Sequence, residues 1–119
     1  MVPRLRLVLL VLAAAAAAGL GVAAPPASAA LRHCARISNP YPGTRYDGVP
    51  LSHIWARNVS CKTGRAVARG AHHKALGITA SASTYRRFTW HGWKVLGNLQ
   101  GASDRYLATK GGARVRWRF

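Results

Sequence analysis

Glutamate is absent from this chain of 119 residues, and aspartate occurs only as Asp47 and Asp104. Paired-carboxylate hydrolysis would need those two side chains to converge. Each stands beside a turn signal, Asp47-Gly48 and Ser103-Asp104, where Asp commonly caps or turns the backbone. Cysteine is limited to Cys34 and Cys61, so there is no CxxC pair, and no HExxH accompanies the five histidines, His33, His53, His72, His73 and His91. Adjacent His72 and His73 project to different faces of a helix and make a poor chelate. A His–Lys–His site of ribonuclease type is chemically possible in a basic protein, but no spacing points to it. The expectation is therefore no catalytic residue, no metal and no cofactor.

What the chain has in excess is positive charge: 18 Lys and Arg against 2 acidic residues, a net +16. Such a surface attracts polyanions through its field alone. The candidate partners are an anionic cell-wall polymer, anionic lipid headgroups and extracellular nucleic acid; the plainer alternative is a solvated surface set by codon composition. Two features would organise the charge, Lys62, Arg65 and Arg69 on a helix and Arg114, Arg116 and Arg118 on a strand. Trp55, Trp90, Trp93, Trp117 and Tyr106 could offer stacking platforms. A domain this small needs most of its large apolar residues inside, so they are assigned to the core.

Residues 1–29 have the pattern of a secretory signal peptide. Arg4 and Arg6 supply the positive start, Leu7 to about Val22 the apolar run, Pro25-Pro26 the break and Ala27-Ser28-Ala29 the small-x-small cleavage pattern. The run is short for a membrane span, which takes about 20 residues. No cysteine marks a lipoprotein site and no Arg-Arg pair marks twin-arginine export. The expected product is a secreted monomer from Ala30, released or held at the cell wall. An oxidising compartment lets Cys34 and Cys61 form the one pairing two cysteines allow. Closing a loop of that length contributes roughly 3–4 kcal/mol in the chain-entropy model. Residues 30–50 are expected to form an extended arm, rich in turn signals and tied down by that disulfide. Residues 51–119 are expected to form the compact domain.

Within it, Ser60 is a suitable N-cap. Cys61, Gly64, Ala68, Ala71 and Ala75 follow at 3–4 spacing, a stripe of small side chains that predicts a helix from Cys61 to about His73, stopped by Gly77. Ile54 to Arg57 suggests a short strand before the cap, and Ile78 to Thr84 a loop. Phe88-Thr89-Trp90 and Trp93-Lys94-Val95 flank His91-Gly92, either as a tight hairpin or as one strand kinked at Gly92; the kinked strand is preferred. Arg105 to Thr109 is a strand candidate, Lys110-Gly111-Gly112 a hairpin turn, and Arg114 to Phe119 the clearest strand, with Val115, Trp117 and Phe119 alternating with arginines. The expected fold class is α+β: one helix packed on a small antiparallel sheet of three to four strands, with one disulfide.

Val59-Ser60-Cys61, the Thr63-Gly64-Arg65-Ala66-Val67-Ala68-Arg69 helix, Gly92-Trp93 and Ala113 to Phe119 together resemble a broad class of small exported proteins of high-GC actinobacteria. The resemblance covers about half of the chain after residue 29. It implies export and this fold, and brings no activity with it. Members of that class often carry a second cysteine pair where this chain has Val95 and the stretch around Thr109, which implies that the second bridge is missing here and that Cys61 pairs with Cys34. The functional expectation is a small basic secreted domain, not an enzyme, at or outside the cell envelope and able to associate with anionic polymers or surfaces. A ribonuclease-like secreted hydrolase or a cationic antimicrobial or effector protein is the alternative; the lack of a long amphipathic cationic helix argues against the last.

Overall fold

The structure is a computed structural model and describes residues 30–80 and 84–119. The expected signal peptide, residues 1–29, lies outside the described residues, as do Ser81, Ala82 and Ser83 of the loop expected before Tyr85.

Helix α1 runs Cys61–Ala75. Ser60 is in extended conformation and its hydroxyl accepts from the Thr63 N–H at 3.2 Å, satisfying a donor that the first turn leaves free. The far end closes with Leu76 N–H on the His72 carbonyl and Gly77 N–H on that of Lys74. The helix outlasts its expected end at His73 by two residues because Ala75 continues the small stripe and is fully buried. Gly64, Val67, Ala68, Ala71, His72 and Ala75 face inward. The stripe's purpose is close approach: a Cβ added at Gly64 would stand 2.9 Å from the Ala56 Cβ, and one at Gly70 would overlap the Trp90 indole.

Six strands form one sheet: β1 (Arg32–Cys34), β2 (Ser52–Arg57), β3 (Tyr85–Trp90), β4 (Trp93–Asn98), β5 (Arg105–Lys110) and β6 (Ala113–Arg118). Their order is β1-β2-β6-β5-β4-β3, and every neighbouring pair is antiparallel. The α+β class with one helix and one disulfide holds, but the expected three to four strands are corrected to six. One cause is the segment around Gly92. It is a hairpin and not a kinked strand, because His91 (φ 46°) and Gly92 (φ 79°) both take positive φ, the geometry of a two-residue turn whose twist suits a hairpin. Histidine in the first turn position hides a signal that Asn-Gly or Asp-Gly would announce. The other cause is β1, three residues of mixed polarity with no alternation to detect, paired with β2 inside the segment expected to be an arm.

The arm is built into the domain. Cys34 is buried and bonded to Cys61 (Cα–Cα 5.4 Å), joining the end of β1 to the start of α1. Ile37 bridges to Leu51, and Tyr41 reaches the core. Asp47 organises the turn between them: its carboxylate accepts from Asn39 Nδ2 at 2.9 Å and from Gly43 N–H at 3.0 Å, and these bonds hold it below the usual carboxylate range.

The chain leaves β2, runs through α1 and re-enters at β3 on the opposite edge, so α1 crosses one face of the sheet. That face supplies the core, with Ile54, Ala56, Val95, Tyr106, Ala108, Val115 and Trp117 beneath the helix. No other helix is described, so no described helix covers the second face.

Candidate polyanion-binding face

Residues paired directly across antiparallel strands share a face, so the register lays out the uncovered side in three rows. The central row is His33, Trp55, Arg116, Leu107, Leu96 and Arg87. On one flank lie Arg57, Arg114, Thr109, Lys94 and Thr89. On the other lie Arg118, Arg105, Asn98 and Tyr85. The central row thus holds Trp55 and the neighbouring leucines Leu107 and Leu96, with Arg116 standing between them, and two cationic margins flank the row. No carboxylate opposes them, since Asp47 is in the arm and Asp104 exchanges backbone hydrogen bonds with Phe119 at the end of β5. Two arginine pairs stand directly opposite each other, Arg57 with Arg114 and Arg105 with Arg118.

The rows enclose two concavities. One, of about 230 Å³, is lined by His53, Trp55, Arg105, Arg116 and Arg118, with Tyr106 and Trp117. The other, of about 510 Å³, runs along Arg87, Lys94, Leu96 and Leu107. β2 is irregular at the first of them. Ser52 pairs with Arg118 and Trp55 with Arg116, three residues against two, so β2 carries a bulge. His53 sits in that bulge at φ 50°, a conformation that costs a β-strand histidine free energy and recurs at functional sites. Trp55 is half-buried. The His33 ring meets its edge at 5.0 Å between centroids, and the Arg116 guanidinium lies 6.0 Å from its centre.

Of the residues singled out in the sequence, Arg114, Arg116 and Arg118 lie on this face, while Lys62, Arg65 and Arg69 lie on exposed positions of α1, across the sheet from it. The structure does not merge the two groups. Arg65 is drawn toward the arm, its Nε–H donating to the Ala35 carbonyl at 3.1 Å. The first group gains Arg57, Arg105, Lys94 and Arg87, which no local pattern in the sequence selects. The assignment of aromatics to the core fits Trp93, Trp117 and Tyr106, which are buried, holds in part for Trp90, which is partly buried against the core, and fails for Trp55. The signal for Trp55 was Ile54-Trp55-Ala56-Arg57 itself: with Ile54 and Ala56 inward, period two places Trp55 beside Arg57 on the outer face.

The histidines are scattered. His72 is fully buried, with Nδ1 2.6 Å from the Tyr41 hydroxyl and rings of Tyr106 and Phe119 around it. Burial first, then Arg86 and His73, push its pKa down to about 3, while burial raises Tyr41 to about 12. Both groups therefore stay neutral and share one hydrogen bond through Nδ1, while Nε2 is buried without a partner. His91 occupies the β3–β4 turn against Trp90. Among the described residues no group of three or more His, Cys, Asp or Glu is placed to hold a metal ion.

Comparison of the chain with protein-family models, with curated proteins and with solved structures finds no match.

Proposed function

We propose that this chain is an exported, non-catalytic binding module that holds a linear polyanion on the uncovered face of its sheet, at or outside the cell envelope. The observation that carries the reading is the placement of Arg57 against Arg114 and of Arg105 against Arg118, on a face without a carboxylate. Like charges directly opposite one another destabilise a sheet. A face serving solubility alone would gain more from interspersed signs. A bound polyanion relieves this repulsion and releases its own counterions. Export rests on the signal pattern of residues 1–29, with which the Cys34–Cys61 bond is compatible. Non-catalytic binding is supported by the lining around His53, where arginines, Trp55, Trp117 and Tyr106 stand with neither a carboxylate nor a lysine.

The test is the salt dependence of binding to long-chain polyphosphate. Affinity should fall steeply with salt. The variant R114A/R116A/R118A should bind more weakly, and its log–log salt slope should be shallower by about one for each phosphate that no longer meets an arginine. K62A/R69A, altered on the helix, should be weakened much less. Salt-independent binding, or equal weakening in the two variants, would contradict the proposal. RNA incubated with the protein should be recovered intact; cleavage abolished by His53→Ala would instead assign a hydrolase.

A further inference from the structure

The central row raises a question that charge does not answer. Cationic margins alone serve any polyanion, yet between them the face presents Trp55 and, beyond Arg116 in the same row, Leu107 paired with Leu96. A wall-type polyanion of phosphate and open-chain polyol has no flat ring to lay on an indole. Trp55 is also not spare core. Its neighbours Ile54 and Ala56 are completely buried on the helix side, while Trp55 is only partly buried, with His33 in edge contact and the Arg116 guanidinium over one face of its ring. A base would stack on the face that Arg116 leaves.

We infer that the polyanion is a single-stranded nucleic acid, with one base stacked on Trp55, a further base beyond Arg116 over Leu107 and Leu96, and the phosphates along Arg118 and Arg105 on one margin and Arg57 and Arg114 on the other. This rests on the polyanion reading above and narrows it. From β2 to β3 the row crosses four strand intervals, about 19 Å at the usual strand spacing, which accommodates a few nucleotides. The concavity at His53 lies where the strand would leave Trp55, with Arg105, Arg116 and Arg118 around it, a fit for the phosphate attached to the stacked base. A double helix is excluded as the ligand of this row, because its bases are stacked on each other and closed to an indole. Recognition of this kind is tolerant of sequence, since every base has a flat face.

The experiment compares a labelled oligothymidylate with an abasic phosphodiester of the same length, at the same salt, on the full chain after residue 29 with its disulfide intact. Wild type should bind the oligothymidylate the more tightly and show quenching of tryptophan emission that the abasic strand does not produce. Trp55→Ala should weaken oligothymidylate binding roughly 5- to 100-fold and leave abasic binding unchanged, while Trp55→Phe retains most of the preference. Equal affinity for the two strands, both reduced in R114A/R116A/R118A, would overturn the nucleic-acid inference and leave the polyanion reading standing. No salt-sensitive binding of either strand would remove both. Tighter binding of a wall teichoic polymer or of anionic vesicles than of oligothymidylate at equal phosphate would likewise overturn it. Should Trp55→Ala fail to fold, wild-type quenching decides: emission unchanged by oligothymidylate sinks the inference.

Discussion

At the scale of single residues, two of the local costs that the chain accepts can be measured separately. The first is the arginine pair across β2 and β6. Replacing Arg114 with Glu turns a repulsive pair with Arg57 into an attractive one. Arg114→Glu is expected to be more stable to urea than Arg114→Gln, by about 0.2–1 kcal/mol, while binding polyphosphate more weakly than either Arg114→Gln or wild type. A stability gain coupled to a binding loss is the signature of a residue retained for its ligand. The second cost is His72. An unfolded chain protonates this imidazole near 6.5, whereas the folded chain does so only near 3. Between those values the unfolded state holds the extra proton. Stability due to neutral His72 is therefore full above about pH 6.5 and declines as pH falls toward 3, with a slope of up to about 1.4 kcal/mol per pH unit. Urea midpoints measured from pH 7 down to the carboxylate range should show this decline, and His72→Phe should flatten it. A wild-type midpoint constant over that range would contradict the buried, Tyr41-bonded imidazole.

At the scale of elements, α1 was legible because its evidence was local: a Ser cap, a 3–4 stripe of small residues and cations on the opposite side all lie within one stretch of chain. Its packing on β2 depends on Gly64. Alanine is favoured over glycine in a helix by about 1 kcal/mol, yet at this position its methyl would meet the Ala56 Cβ at 2.9 Å, an atom fixed to the backbone, so relief requires the helix or the strand to shift. Gly64→Ala should therefore destabilise the domain, by roughly 1–3 kcal/mol as for other overpacked sites, reversing the sign that helix propensity alone gives; an increase in the urea midpoint would contradict the close approach. Strands β5 and β6 were equally legible, because Arg114 to Phe119 alternates without interruption and Gly111-Gly112 marks the turn. The β3–β4 hairpin and β1 were not. A turn with histidine at its first positive-φ position carries no compositional mark, and a three-residue strand carries no period. The candidate site suffered in the same way. Which arginines share a face depends on the order of β2, β6 and β5, a long-range pairing no local pattern encodes, and so Arg57, Arg105 and Trp55 stood apart from Arg114, Arg116 and Arg118 until the register joined them.

At the scale of the whole molecule, α1 covers one face of the six-stranded sheet and most of the organised charge collects on the other. The disulfide acts on the covered side, fixing the edge strand β1 to the first residue of α1. Replacing both cysteines with serine should lower stability by roughly 3 kcal/mol without altering polyanion affinity under conditions where the variant is folded; an unchanged urea midpoint would show that the staple contributes nothing. The central claim is that the ligand lies on the uncovered face and not along the helix. It is tested most directly by following backbone and arginine side-chain NMR signals during titration with polyphosphate. A ligand on the uncovered face gives early, saturable shifts at Trp55, Arg57, Arg105, Arg114, Arg116 and Arg118, with Lys62 to Arg69 little changed. Shifts concentrated on α1, or spread evenly over every lysine and arginine, would contradict it.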